Sequence, residues 1–143
     1  MFVQSKRAAE IAGLTEHQLK EWCMRRGLIR PDVLPRGRGN NALFGWQTLL
    51  ALRLLALVHN KFGVSVAHCG PIMASLRTSL KETSFPGLYG QNAVYDGQRI
   101  LISRALSPYL SQATLIIPLN EHLSAISQTL SHACPVDAYT PQG

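Results

Sequence analysis

Charged residues are scarce in this chain, at 15% of its 143 residues. Globular proteins usually carry about a quarter. Hydrophobic residues, at 46%, are plentiful. A chain with this balance is not of the highly charged, disordered class, and we expect it to fold around an apolar core. Its length suits one domain of ordinary size or two small modules.

Cysteine is also rare. The three cysteines, Cys23, Cys69 and Cys134, are isolated in sequence and form no CxxC pair. Disulfide frameworks and zinc sites usually show paired or closely spaced ligands, so neither is expected here. A metal site built on Cys134 and His132 is the minor alternative. The sequence predicts no cofactor.

Long uninterrupted apolar runs are missing. The longest, Leu49 to Val58, contains Arg53, whereas a membrane-spanning helix needs about 20 apolar residues. The N-terminus has no apolar stretch typical of a signal peptide. We therefore predict a cytoplasmic protein without a membrane partner. No phosphate-binding loop, nucleophile elbow or carboxylate pair is recognisable, so we do not expect an enzyme.

The net charge of +6 is distributed unevenly. Residues 1–62 contain ten Lys or Arg and four Asp or Glu, whereas residues 63–143 contain four of each. The whole basic excess therefore belongs to the first part of the chain. This asymmetry indicates a polyanionic partner for one module and a different role for the other.

The N-terminal pattern predicts two short helices joined by a turn. The first covers Lys6 to Gly13, with Ser5 as its N-cap, and Gly13 is a natural stop. The second covers Glu16 to Arg26, with Thr15 as its N-cap. Two helices joined by a short turn that contains glycine form a candidate helix-turn-helix.

The segment Arg30 to Ala42, RPDVLPRGRGNNA, is rich in Arg, Gly, Asn and Pro. This composition predicts a loop or hairpin. The segment is either a wing that lies against a DNA backbone or a solvated linker. We favour the wing, because its basic residues continue those of the second helix.

The next two predicted helices are Trp46 to Phe62, apolar around most of its circumference, and Ser65 to about Leu80.

The remainder has a different periodicity. After a linker or an irregular loop at Glu82 to Gly90, two strand-like runs flank the turn Asp96-Gly97, which is a strong hairpin signal. A third strand at Leu115 to Ile117 and a helix beginning at Asn120 follow. The tail from Pro135 to Gly143 is expected to be disordered.

Two strings carry a family resemblance: RAAEIAGLTEHQLKEWCMRRGLIRP, and, after the basic loop, LFGWQTLLALRLLALVHNKFGVSVAHCGPIMASL. Together they resemble the winged helix-turn-helix domain of the mercury-resistance-regulator (MerR) family over about residues 5–80. The matching features include Gly13-Leu14, Trp22, the run Gly27 to Pro31, and Gly63-Val64-Ser65.

The chain departs from the family pattern in three ways. Its second helix is one residue longer before Gly27, and Leu43-Phe44 matches the Arg-Tyr that ends the family's wing only loosely. The long coiled-coil helix through which the classical regulators dimerise is missing, as are their paired effector cysteines. Metal or drug sensing is therefore not implied.

The resemblance implies a winged helix-turn-helix of MerR type, and the residue pattern that follows predicts a small α+β module with a β-hairpin, so the expected fold is mostly α. We expect a DNA-binding domain at residues 1–82, a module for dimerisation or partner binding at 83–134, and a flexible tail at 135–143. The short strands and single helix of the module cannot bury much surface alone, which favours a homodimer formed through it.

The resemblance also implies which residues contact double-stranded DNA. The recognition-helix candidates are Thr15, His17, Gln18, Lys20, Arg25 and Arg26. The candidates on the wing and the first helix are Ser5, Lys6, Arg36, Arg38, Asn40 and Asn41. Gln pairs well with adenine and Lys with guanine, whereas the remaining bases suit the backbone.

These features predict a sequence-specific transcriptional regulator that binds an operator as a homodimer in the nucleoid. One alternative is a DNA-architectural or recombination accessory factor of excisionase type. Another is an adaptor or antitoxin-like module whose C-terminal part binds a protein partner.

Overall fold

The computed structural model describes residues 1–35 and 42–132. Short 3₁₀ turns at Val66–His68, Pro86–Leu88 and Ser107–Tyr109 connect the longer elements. In chain order those elements are β1 (Val3–Gln4), α1 (Ser5–Ala12), α2 (Glu16–Lys20), β2 (Leu43–Phe44), α3 (Trp46–Asn60), α4 (Cys69–Lys81), β3 (Asn92–Tyr95), β4 (Ile100–Ser103), β5 (Leu115–Pro118) and α5 (Asn120–His132).

Helices α1 and α2 form the predicted helix-turn-helix. α1 ends where Gly13 adopts a left-handed conformation with φ of 76°, and the N–H of Leu14 bonds the carbonyl of Ala9 at 2.9 Å. This conformation favours glycine because it has no Cβ. The predicted N-cap at Ser5 is wrong. β1 runs directly into α1, so Gln4 is the cap and Ser5 is the first helical residue.

The sequence predicts one continuous helix from Glu16 to Arg26, but only its first part, Glu16–Lys20, is α-helical. Beyond Lys20 it continues as a π-helical turn over Glu21–Arg25, where the N–H of Arg26 bonds the carbonyl of Glu21 at 3.0 Å. A π turn holds one residue more than an α turn. It therefore accommodates the residue by which this helix exceeds the family pattern, and the chain still turns at Gly27 (φ 62°).

A small antiparallel sheet, which the sequence did not predict, forms the base of the wing. β1 pairs with β2, and on the other side of β2 Val33 and Leu43 exchange two backbone hydrogen bonds of 3.1 and 2.9 Å. The carboxylate of Asp32 accepts a hydrogen bond from the N–H of Gly45 at 2.6 Å. Where the structure describes it, on both sides of residues 36–41, the segment predicted as a loop or hairpin is therefore paired as a hairpin.

Helix α3 lies at the centre of the core, as its apolar circumference predicts. α1, α4 and α5 all pack against it. It ends at Asn60 rather than at the predicted Phe62, which is 46% exposed. Its nine buried residues are Thr48, Leu49, Leu50, Ala51, Leu52, Leu54, Leu55, Ala56 and Val58.

Residues 92–118 form a three-stranded antiparallel sheet in the order β4-β3-β5. Ala93 faces Ile102 on β4 and Ile117 on β5. The predicted Asp96-Gly97 hairpin is confirmed. The Asp96 carboxylate accepts hydrogen bonds from the N–H groups of Arg99 and Gln98, which lower its pKa. The sheet packs on α4 through β4, and α5 packs on α3 and α1.

The segment Glu82 to Gly90, predicted as a linker or an irregular loop, is an irregular loop that packs on the core. Leu88 is fully buried, and the ring of Phe85 lies edge-on to Trp46 of α3 with centroids 5.2 Å apart. One hydrophobic cluster contains both Leu88 and the buried residues of α1, α3, α4 and α5. The second module therefore buries its apolar face against the N-terminal helices, and it does not need a second copy to do so.

The overall architecture agrees with the predicted fold class: a winged helix-turn-helix followed by an α+β region. The division at 82/83 stays a prediction, and the tail from 133 onward lies outside the described residues. Among the residues that the structure covers, no helix is long and apolar enough to cross a membrane.

Candidate nucleic-acid interface

A groove separates the recognition helix from the base of the wing. We call it the helix–wing groove; its volume is about 920 Å³. Of the predicted DNA-binding residues that the structure describes, three line it: Ser5 at the start of α1, and His17 and Lys20 on α2. Arg30, just beyond the recognition helix, lines the same groove. The fold therefore brings polar and basic groups from three parts of the sequence to one concave surface.

His17 and Lys20 share one face of the recognition helix. They are three residues apart, a spacing that places side chains on the same side of a helix, and both are exposed. The opposite face of that helix is fixed in the core by Leu19 and Trp22, which are 2% and 3% exposed. Trp22 also lies edge-on to His59 of α3, with ring centroids 5.7 Å apart. This packing holds the exposed face at a defined angle.

Thr15 and Gln18 hold the start of the recognition helix. The Thr15 hydroxyl accepts a hydrogen bond from the Gln18 N–H at 3.0 Å, and Gln18 Oε1 accepts one from the Thr15 N–H, also at 3.0 Å. This capping box satisfies two backbone donors. Recognition of adenine by Gln18 would require that same amide oxygen, so the capping box competes with the predicted base contact.

The predicted backbone contacts have different surroundings. Arg25 forms an ion pair with Glu21 across one helical turn, at 2.6 Å. Arg26 and Lys6 are exposed. The four wing candidates Arg36, Arg38, Asn40 and Asn41 lie outside the described residues.

Arg53, one of the ten bases in residues 1–62, lies on a different side of the fold. Its Nε–H donates to Nδ1 of His122 on α5 at 2.7 Å, and an Nη1–H donates to the carbonyl of Ile11 on α1 at 2.6 Å. Burial, and then the Arg53 charge, lower the pKa of His122. Arg53 therefore joins three helices and does not belong to the helix–wing groove.

Among the lining residues that the sequence interpretation did not name as site residues are Met24, Arg30 and Leu34. Met24 was detectable, because His17, Lys20 and Met24 are spaced i, i+3, i+7 and so fall on one helical face. Cys23 also lines the groove, and burial raises its pKa to about 11. Its thiol is therefore neutral at physiological pH and contributes to an apolar floor.

Metal ligands are not gathered anywhere in the described ranges. Within residues 1–35 and 42–132 no three His, Cys, Asp or Glu side chains are grouped closely enough to hold a metal ion. Cys134, named in the minor metal-site alternative, lies outside those ranges.

These features define a winged helix-turn-helix DNA-binding domain. Two helices are joined by a turn at Gly13, a hairpin lies beside them, and basic residues line the groove between them. The family model described as MerR HTH family regulatory protein matches residues 3–76, just over half of the chain. The chain belongs to this family, which makes it a DNA-binding regulator of transcription in general terms. Comparison with curated proteins gives no significant match.

Proposed function

We propose that this protein is a sequence-specific transcriptional regulator that places α2 in the major groove of an operator. The observation that carries this proposal is the helix–wing groove, where His17, Lys20 and Arg30 converge beside the wing. Lys20 is the candidate for guanine recognition, and His17 lies beside it on the same helical face. An enzymatic role has no support in the groove's chemistry, and a regulator of this kind acts in the cytoplasm on the nucleoid.

The surrounding residues suit contacts with the DNA backbone. Ser5 and Lys6 open α1, whose first N–H groups favour a phosphate. Arg26 is free to reach the backbone beyond the end of the recognition helix, and we propose phosphate or minor-groove contacts for Arg36, Arg38, Asn40 and Asn41. Thr15 and Gln18 would then act mainly by fixing the start of the recognition helix. Arg25 would contact the DNA backbone less strongly than Arg26, because its ion pair with Glu21 neutralises its charge.

A homodimer is the finer part of the proposal. Two helix-turn-helix units read two half-sites about one helical turn apart, which one unit cannot do. The sheet has a second face, opposite the core, on which Val94 lies between Leu101 and Ile116. Val94 itself is 1% exposed, whereas Leu101 and Ile116 remain partly exposed. The apolar surface offered to a second copy therefore lies on the two flanking strands. Sedimentation that shows only monomer at micromolar concentration, with and without operator, would contradict the dimer.

The decisive experiment is a salt titration of binding to selected genomic DNA and to random DNA, with Lys20→Ala and the control Arg99→Ala. Phosphate contacts give a steep salt dependence on both DNAs. We expect Lys20→Ala to lose about 5- to 150-fold on the selected site and much less on random DNA. Arg99 lies on the C-terminal hairpin, so its variant should bind as wild type.

Other outcomes would support the alternatives. A steep salt dependence with no preference for any sequence would contradict the regulator, and strong bending at an attachment site would favour the recombination accessory factor. A stoichiometric protein that co-purifies with the chain, in the absence of DNA binding, would favour the adaptor.

A further inference from the structure

Two large apolar side chains are exposed inside the helix–wing groove. Met24, on the π-helical turn, is 66% exposed, and Leu34, just beyond the base of the wing, is 48% exposed. Both line the groove together with Lys20 and Arg30. Contacts with phosphates do not explain them, because an exposed Met or Leu gains nothing from a charged backbone. Because these two side chains lie inside the groove, an apolar group on the partner would give them a contact that a phosphate cannot.

We propose that Met24 and Leu34 read thymine C5-methyl groups in the operator, an inference that rests on the proposed function. The thymine methyl is the one apolar group that base pairs present in the major groove. A recognition helix that carries Lys20 and Met24 four residues apart presents a cation for guanine and a thioether for thymine on one face. The preferred site therefore combines G·C and A·T pairs.

The surroundings of the two side chains support this chemistry. The floor of the groove is apolar: Ile29 and Phe44 are buried there, and the Cys23 thiol is neutral. Met has an unbranched, polarisable side chain that adapts to a partner surface. On the other wall, the backbone hydrogen bonds between Val33 and Leu43 fix the position from which Leu34 extends.

The charges around the groove favour DNA as the occupant over an apolar protein segment. Lys20 and Arg30 carry positive charge, and Glu16 is the acid among the described lining residues. Glu16 does not suit a phosphate, but a carboxylate accepts a hydrogen bond from the cytosine amino group. A surface with two cations, one acid and two exposed apolar side chains therefore matches base edges flanked by phosphates.

The test replaces each thymine of the selected operator by uracil, one position at a time. Uracil keeps the hydrogen-bonding edge of thymine and lacks only the methyl group. For wild type we expect about a four-fold weaker Kd at each contacted thymine, the value of one buried methyl group. Met24→Ala should lower this ratio toward one at one set of positions, and Leu34→Ala at another. Both side chains are exposed, so the variants should fold.

The matched control is Phe62→Ala, which removes an exposed apolar side chain that does not line the groove. It should keep the wild-type ratio at every position. Salt-dependent, sequence-selective binding with no thymine–uracil difference at any position would overturn this inference and leave the proposed function intact. Wild-type ratios retained in both Met24→Ala and Leu34→Ala would also overturn it. Absence of DNA binding would overturn both proposals.

Discussion

Residues 1–62 and the remainder of the chain differ in charge but share one core. The first part carries the entire net charge of +6, and the second part is neutral. Yet the buried residues of α1, α3, α4 and α5 belong to one hydrophobic cluster. The basic excess is therefore confined to the first part of the chain, whereas the apolar core includes residues of both parts. A change in composition along a sequence is not by itself a structural boundary.

Helix α3 connects the two parts. On one side it packs against α1 of the helix-turn-helix, and on another it packs against α5. Arg53 lies in the middle of α3 and bonds to both neighbours, to Ile11 and to His122. A shift of α5 would therefore reach the DNA-binding helices through direct contacts.

The largest expected effect comes from Ile126→Ala on α5, which should show whether the two parts unfold together. Ile126 is fully buried, and removal of such a side chain costs about 2–5 kcal/mol. Trp22 packs against His59 within the N-terminal part, whereas Trp46 also contacts Phe85 of the second part. Both proteins are therefore compared in a Trp46→Phe background, in which the fluorescence of Trp22 reports on the N-terminal part. We expect the urea midpoint measured by fluorescence to fall together with that measured by circular dichroism.

Leu110→Ala is the control for this prediction, because Leu110 is 69% exposed; its effect should be near zero. A fluorescence midpoint that stays at the wild-type value in Ile126→Ala, while helix content falls, would contradict the shared core. It would instead support a C-terminal module that unfolds independently.

A smaller loss is expected from Arg53→Met, which keeps the length of the side chain and removes its donors. The buried His122 and the carbonyl of Ile11 would each lose a hydrogen-bond partner, so we expect about 2 kcal/mol in the free energy of unfolding. Arg99→Met is the matched control. The side chain of Arg99 forms an exposed ion pair with Asp96 at 3.7 Å, and loss of such a pair lowers the free energy of unfolding by about 0–1 kcal/mol. Equal effects would contradict the joining role of Arg53.

The sequence predicted the helices and the hairpin well because their signals are local. Gly13 and Gly27 turn the chain, Thr15 caps α2, and the Asp-Gly turn closes the β3–β4 hairpin, all as predicted. The two-residue strands β1 and β2 were missed, since so short a strand has no periodicity to detect.

Tertiary placement could not be predicted in the same way. A helix that is apolar on nearly every side, such as α3, does not reveal which element covers each side. Arg53 was therefore counted only in the basic excess of residues 1–62 and was assigned no partner, because its partner His122 is 69 residues away. In the groove, His17 and Lys20 could be predicted from their positions on the exposed helical face. Leu34 could not, because its position depends on the pairing of Val33 with Leu43.

A still smaller effect is expected from Thr15→Ala, and it should remain local to the basic part. Loss of an N-cap hydroxyl costs about 1 kcal/mol, and Gln18 would be released from the capping box. Thr78→Ala is a suitable control, because its hydroxyl only bonds the Ala74 carbonyl on an exposed face. We expect Thr15→Ala to increase hydrogen exchange at the start of α2 without changing α5. An equal increase in hydrogen exchange in α2 and α5 would contradict the prediction that the effect stays local to the start of α2.

The smallest effect at neutral pH is the titration of His122. Burial and then Arg53 lower its pKa from the ordinary 6.5, while Glu121 acts weakly in the opposite direction. The unfolded chain therefore binds this proton more readily than the folded one. The stabilisation that the neutral His122 gives the fold is complete above about pH 6.5 and is lost as the pH falls below it.

The test variant is His122→Asn, which keeps an acceptor for Arg53 but cannot titrate. Its free energy of unfolding should therefore fall less than that of wild type between pH 7 and 5. Parallel pH profiles for the two proteins would mean that the bond between α3 and α5 does not depend on the protonation of His122.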